Sequence, residues 1–392
     1  MPKSQDEIDV AFIRPRLRVF LSVDLIGSTQ FKIAQNYGGG PSLSHDDAGW
    51  WPNVLTAFYT DFQKEFLRNW AEFVELSQGW SEITIGDPPK LWKALGDELI
   101  FSKICAHINE VWGIVQVWRK TLVDFKERWT HDNLKFKSGA WIVGSPNRNW
   151  EIAFLRDPLT EDDILMMEDR LGYNFYLLNQ YYDADVTRKI DLDFIGTSMD
   201  CGFRLLSKAD ERKFIVSADL LYLLRACQDH CEAKFKGKYT PIKYYFDGTS
   251  ELKGIDRYGI KYPIFWLDAY ELSPRSDAAK YAHSVDKLSK DNEPVLPKEV
   301  DSFLEAYLND VNGFPERPYI TDTAKGTHEP NGCYPSEHDD RIEKFRTRYV
   351  EAMVRLDSIR LSATESGSDG KSPTIEENSA IESMADFSPD YK

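Results

Sequence analysis

The chain has 392 residues, 42% of them hydrophobic, and a formal net charge of -16; that suits a sizeable core and is long for one domain, so one large domain with an appendage is expected. So acidic a balance argues against a long basic track along nucleic acid and leaves any bound nucleotide to metal and local cations. No charged-then-apolar leader opens the sequence, and its apolar stretches break well before the ~18 residues of a bilayer span, so a cytoplasmic protein that neither crosses a membrane nor binds nucleic acid is expected.

After a polar start, residues 17–25 are β-branched and apolar and read as a strand, and Gly27, Ser28 and Thr29 read as a helix start. Residues 37–52 read as a loop, and 54–76 place Leu55, Phe58, Phe62, Phe66, Trp70 and Phe73 at helical intervals. Two short strands are predicted at 81–85 and 98–104, with Gly96 and Asp97 in the turn before the second. A long helix at 108–129 leads to a strand at 135–143, and Thr160 starts a third helix with Glu161 and Asp162 in its first turn. Strand 191–195, helix 197–209 and strand 213–217 follow. That order predicts an α+β sandwich with helices packed on a mostly antiparallel sheet.

Past residue 270 the composition changes. Residues 273–293 are polar and charged, 299–308 read as a helix, 314–335 are rich in Pro, Gly and Thr, and 341–359 read as a charged amphipathic helix. The acidic Ser- and Gly-rich stretch 362–392 has the composition of a disordered tail. The predicted organisation is an N-terminal segment (1–16), a main domain (17–270), a helical and loop extension (271–361) and the tail (362–392). Five scattered cysteines, Cys105, Cys201, Cys227, Cys231 and Cys333, form no disulfide framework. The run CQDHC, with His230 between Cys227 and Cys231, lacks a second pair and reads as buried helix cysteines rather than half a zinc site. His338, Asp339 and Asp340 read as a solvated polar loop.

Three stretches carry chemistry. In VDLIGST (23–29) an acid at a strand end precedes a glycine-led turn into a helix, one way to hold a metal beside a phosphate. KALGDELIF (93–101) supplies a second acid, Asp97, on a glycine turn. Asp24 and Asp97 together suit two divalent ions, Mg²⁺ or Mn²⁺, which polarise a phosphoryl oxygen and lower the pKa of a hydroxyl nucleophile. In GTSMDCGFRLL (196–206) Asp200 and Arg204 lie four apart and share a helix face. The plainer reading of that pair is a surface ion pair worth roughly 0.3 to 0.5 kcal/mol.

Together these stretches resemble the catalytic signature of the class III nucleotidyl cyclases, the adenylate and guanylate cyclase superfamily, over about residues 18–270. The resemblance implies that Asp24, Asp97 and the Leu25 carbonyl hold two metal ions, Mn²⁺ or Mg²⁺. It implies that Gly27, Ser28 and Thr29 cradle phosphates and that Arg204 faces the transition-state phosphate. Ser22 stands where the family usually has phenylalanine, and Asp200 where it has the asparagine that orients the ribose. In SELKGIDRYG (250–259) Lys253 matches a lysine on a strand that contacts the triphosphate. The implied reaction is attack of the ribose 3′-hydroxyl on the α-phosphate with loss of pyrophosphate, in a homodimer whose active sites lie at the interface, the metal acids coming from one subunit and the arginine from its partner.

In the family's pattern the base is read from positions held here by Lys93 and Asp193. A donor beside an acceptor suits the edges of adenine and cytosine, whereas uracil and guanine present the reverse order. Each residue is as well explained as a solvated turn lysine or a strand-end acid. Asp24 and Asp97 are 73 residues apart (97 − 24), more than is usual in the family, and Trp50, Trp51 and Trp80 lie in the insertion, where they would either narrow a nucleotide pocket or enlarge the core. This sensor-free architecture resembles the PycC pyrimidine cyclases of bacterial antiphage (Pycsar) systems, which implies conversion of UTP to cyclic UMP. Cytidylate cyclase, adenylate cyclase and a catalytically degenerate dimeric sensor are the alternatives. A diguanylate cyclase fits less well, because Leu95 replaces the first glycine of the turn it would need.

Overall fold

The structure is a computed structural model and describes residues 11–37, 47–80, 85–105, 107–131, 134–146, 148–183, 188–255, 261–269, 277–289, 293–309, 317–318, 320 and 338–367. Its strands are β1 (Arg16–Ile26), β2 (Lys90–Leu95), β3 (Glu98–Cys105), β4 (Lys135–Ser145), β5 (Asn149–Leu155), β6 (Ile190–Gly196), β7 (Lys213–Val216), β8 (Tyr245–Ser250) and β9 (Tyr262–Asp268). The helices are α1 (Ser28–Tyr37), α2 (Trp51–Leu76), α3 (Ile108–Arg128), α4 (Glu161–Met166), α5 (Arg170–Tyr182), α6 (Thr197–Leu205), α7 (Ala218–Lys234), α8 (Asp277–Ser289), α9 (Pro297–Leu308) and α10 (His338–Gly367). Among the described residues two compact units result, one within 12–152 and 192–342, the other within 153–191 and 343–367.

In the larger unit seven strands run in the order β2-β3-β1-β4-β7-β9-β8. Every pairing is antiparallel except β4 with β7, so this is the α+β sandwich expected. Strand β1 is central because it is apolar on both faces. Leu17, Val19, Leu21, Val23 and Leu25 enter one large core, while Phe20 on the opposite face packs against Trp92, Trp141 and Phe194. Helices α2, α3 and α7 cover the first face through stripes such as Val54, Phe58, Phe62, Phe66, Trp70 and Phe73, spaced three and four apart. A side chain at Gly113 of α3 would run into the Phe73 ring of α2. Gly113→Ala is therefore expected to lose about 1–3 kcal/mol of stability to overpacking, read as a lowered denaturation midpoint with an unchanged slope.

The smaller unit is helical. Thr160 and Asp163 form a capping box at the start of α4, and Asp163 is then clamped by both terminal nitrogens of Arg188, at 3.0 and 2.6 Å. Met166 of α4 buries itself with Ala352 and Leu356 of α10. Arg348 of α10 reaches Asp169, the N-cap of α5, at 2.9 Å.

Several expectations shift. The strand expected at 81–85 has residues 81–84 outside the described set, and Ile85 is not in a strand. Strand β2 instead covers Lys90–Leu95, at the edge of the sheet, with a register shift between Leu91 and Lys93 that breaks the alternation a sequence reader looks for. Strand β5 and helices α5 and α8 were not expected; α8 lies inside the polar stretch 273–293, where Asp286 pairs with Arg212. Helix α2 begins three residues before its expected start at 54, and α6 stops at Leu205, where one tighter turn, Leu206–Lys208, completes the stretch expected to reach 209. Helix α10 runs to Gly367, past the point where the disordered tail was expected to begin. Beyond residue 270, α9 joins the main core through Val300, Leu304 and Leu308.

Candidate active site

The residues of VDLIGST are positioned by the sheet. Asp24 lies directly across from Glu98 of β3 on one side and Lys137 of β4 on the other, and cross-strand partners share a face. Gly27, at φ 88°, supplies the left-handed turn that ends β1 and lets α1 begin at Ser28. The turn between β2 and β3 folds onto the same corner: the Leu25 amide donates to the Asp97 carbonyl at 3.1 Å, and the Ser28 hydroxyl donates to Oδ2 of Asp97. From α2, the Tyr59 hydroxyl donates to the carbonyl of Gly96, which itself needs φ 70°. Two carboxylates, a buried hydroxyl and a helix start thus occupy one corner, with Thr29 exposed beside them.

Its electrostatics are those of crowded acids. Burial pushes the Asp24 carboxyl up from its ordinary range and the Asp97 charge adds to this, while Lys137, 2.8 Å away, opposes it. Burial also raises Glu98, against a 2.5 Å hydrogen bond from the Ser22 hydroxyl. Ser22 is thus part of a polar chain. Trp118 donates to the Ser138 hydroxyl (2.9 Å), which donates to the Ser22 carbonyl (2.6 Å). Among the described residues no group of three His, Cys, Asp or Glu side chains makes a metal cage. Two carboxylates with a backbone carbonyl nonetheless fit a hard cation that takes its remaining ligands from water and substrate phosphates, as Mg²⁺ characteristically does.

A second cluster joins β2 to β6. Lys93 Nζ lies 2.7 Å from Asp193, with the two side chains 35% and 30% exposed, and 4.4 Å from the centroid of the Trp92 ring. The Trp92 indole donates to the Leu192 carbonyl at 2.8 Å and holds the strands together there. Lys93 is therefore a strand residue, not a turn residue, and the two expected base readers do meet.

The third cluster is built on α6. Asn149 caps its first turn, accepting from the Ser198 amide (3.1 Å) and donating to the Ser198 hydroxyl (3.2 Å), and Gly202 lets the helix close onto the Trp141 ring. Asp200 is exposed, and no ion pair joins it to Arg204 among the described residues, so the plain surface-pair reading is not realised. Arg204 Nε is buried and finds no hydrogen-bond partner among those residues. Its Nη2 lies 3.5 Å from where a β-carbon on Gly254 would sit, which brings the guanidinium to the turn that carries Lys253. That lysine lies in the turn after β8, not on a strand as expected, because Gly254 takes φ 78° and ends the extended run.

Strand β8 is four places from β1 in the sheet, roughly 19 Å at about 4.8 Å per strand, while α6, which carries Arg204, packs through Gly202 on Trp141 of β4, the strand next to β1. Trp80 packs on Phe235 in the core, and Trp51 is held at the α1–α2 corner by Gln35 and Asn36, so the insertion tryptophans build core and corner. Cys105, Cys201, Cys227 and Cys231 are all buried and free, as expected of core thiols; Cys333 lies outside the described residues. Sequence reading missed Lys137, Glu98, Tyr59 and Asn149. Lys137 becomes visible only once β1 and β4 are paired in register.

No protein-family model matches the chain, and no curated protein matches it. Among solved structures it is similar to the adenylyl cyclase CyaB from P. aeruginosa, with 11% identity, 65% of this chain and 94% of that one covered, and a TM-score of 0.35. It is also similar to the guanylate cyclase domain of RhGC from Catenaria anguillulae in complex with GTP (10% identity, 65% and 97% covered, TM-score 0.29). A bacterial light-regulated adenylyl cyclase gives 7% identity, 65% and 92% covered, and a TM-score of 0.32. Among the described residues no helix is long and apolar enough to cross a membrane.

Proposed function

We propose that the chain is a class III nucleotidyl cyclase that converts UTP to 3′,5′-cyclic UMP and pyrophosphate, a second-messenger signal in bacterial antiphage defence. The observation that carries the cyclase reading is the convergence of Asp24 and Asp97 beside the start of α1. Asp24, Asp97 and the Leu25 carbonyl would hold two divalent ions, Mn²⁺ or Mg²⁺, which when bound acidify a hydroxyl nucleophile and offset phosphoryl charge. The first amides of α1, from Gly27 to Thr29, point their partial positive charge at the terminal phosphates. Arg204 and Lys253 neutralise the charge that grows on the α-phosphoryl oxygens and on departing pyrophosphate, and Asp200 faces the ribose. As the resemblance to the class III cyclases implies, a complete site takes its acids from one chain and its arginine from the partner in a homodimer.

The preference for uracil rests on the resemblance to the PycC cyclases. A second reading, CTP or ATP, is favoured by the ion pair itself: Lys93 and Asp193 set a donor beside an acceptor, the order that cytosine and adenine match. Incubation of the purified chain with Mn²⁺ and each of ATP, GTP, CTP and UTP, with products resolved by mass, decides between them. Cyclic UMP as the main product is the expected result; cyclic CMP or cyclic AMP would return base reading to Lys93 and Asp193, and no product from any of the four would count against the cyclase.

A further inference from the structure

We infer that Tyr59 of α2 is a positioning residue for the metal site, its hydroxyl holding in place the turn that carries Asp97. This rests on the cyclase reading and gives a task to the long segment between the two acids, which the proposed reaction leaves without one. Three observations carry it. The first is how little else supports the turn. Gly96 and Asp97 are the two residues that link β2 to β3, since Leu95 and Glu98 are paired across it. Strand β2 is the edge of the sheet, and its pairing with β3 slips between Leu91 and Lys93. A β-carbon placed on Gly96 would meet nothing within 4 Å among the described residues. At Gly96 the turn is therefore unpacked, and hydrogen bonds must hold it.

Where those hydrogen bonds come from is the second observation. The Leu25 amide reaches the Asp97 carbonyl at 3.1 Å, and the Ser28 hydroxyl reaches Oδ2 of Asp97. Both donors belong to the stretch that ends β1 and starts α1, so they tie Asp97 to the loop of Asp24. The Tyr59 hydroxyl donates to the Gly96 carbonyl from another layer, the helices that cover the sheet. The third observation is that Tyr59 is itself fixed. Its ring packs against the main core and stands edge-on to the fully buried Phe58, 6.0 Å between centroids. The start of α2 is tied back to α1: the Trp51 amide donates to the Gln35 side-chain carbonyl at 2.8 Å, and the Gln35 amide group donates to the Gly49 carbonyl at 2.7 Å. Ser28, α1, α2 and Tyr59 thus form a bracket that meets the turn at both ends. A carboxylate held in this way keeps lone pairs for metal, and partners that orient a metal ligand are typically worth about 10–100-fold in affinity.

The experiment measures metal binding without turnover. Full-length protein is titrated with Mn²⁺ alone, and the free ion is followed by electron paramagnetic resonance. Tyr59→Phe keeps the ring and removes the hydroxyl, and it is expected to weaken Mn²⁺ binding by about 10-fold or more. Its unfolding midpoint in EDTA should match that of the wild type, because the ring contacts remain. Exchange of the Leu25 amide with deuterium, measured in EDTA, should quicken as the turn loosens. Thr60→Ala, the next residue along α2 with a hydroxyl that bonds within its own helix, should leave all three measurements where they were. Unchanged Mn²⁺ affinity in Tyr59→Phe would overturn the role of Tyr59 and leave the cyclase reading standing. So would a loss of affinity that Thr60→Ala shares, or one that comes with a midpoint lowered by several degrees. No Mn²⁺ bound to the wild type at millimolar ion would instead remove Asp24 and Asp97 as metal ligands, and with them the proposed function and this role of Tyr59.

Discussion

Asp24→Asn is expected to abolish cyclic nucleotide formation, by about 10³-fold or more, since metal-held charge stabilisation is worth several kcal/mol in the transition state. The variant keeps the size of the side chain and the hydrogen bonds of β1, so lost activity should not come with lost fold. Stability gives a second readout with a worked sign. Burial is the main cause that raises the folded pKa of Asp24, and Lys137 offsets it only in part. A raised carboxyl favours the folded state most when protonated, so that benefit is fully present below the unfolded pKa and fades as pH rises through the folded one. In EDTA at pH 8 the asparagine variant, which carries no charge there, is expected to melt at or above the wild-type temperature. A binding protein without catalysis would show the same melting behaviour and no change in nucleotide chemistry, so the pair of measurements separates the classes. A variant that melts several degrees lower at pH 8 would show that Asp24 is held by the fold more favourably than its surroundings indicate.

Much of this site was legible in the sequence because its parts are local. A strand-end acid, a glycine at positive φ and a helix start occupy consecutive residues, so Asp24, Gly27 and Ser28 are recognisable without knowing what lies beside them. Asp97 is legible for the same reason, sitting on the Gly96 turn before an apolar strand. What stayed hidden depends on which strands are neighbours. Lys137 is one of two lysines in KFKSGAW until β4 is laid against β1 in register, which puts it across from Asp24. Glu98 is likewise placed by the sheet, opposite Asp24 on β3, and its carboxylate accepts from the hydroxyl of Ser22, two residues back along β1. Strand β2 escaped notice because an edge strand needs only one buried face and its register shifts at Lys93, and with it went the correct setting of the Lys93–Asp193 pair. The aromatic insertion was ambiguous for another reason: tryptophan serves a core and a ligand pocket equally well, and only its packing on Phe235 assigns Trp80 to the first.

Mixing two inactive variants is expected to restore activity. Arg204→Ala removes the guanidinium, whose Nε is buried, beside the Lys253 turn, and loss of a charge-stabilising donor of this kind costs about 10²–10³ in turnover. Asp24→Ala removes the acid half of the site. If one chain held a complete site, every chain in the mixture would carry a lesion and the mixture would stay inactive. If each site draws its acids from one chain and its arginine from the partner, a heterodimer places both lesions in one of its two sites and leaves the other whole. With free exchange between closed two-fold dimers, half the dimers are mixed and half their sites are intact, so recovery to about a quarter of wild-type activity is expected. Titrating one variant against a fixed amount of the other should give recovery that peaks near equal amounts, a shape that residual activity in either variant alone cannot produce. Persistent inactivity, with heterodimers demonstrated by differently tagged chains, would mean that Arg204 and Asp24 serve the same chain's chemistry, and the site shared between two chains would fall.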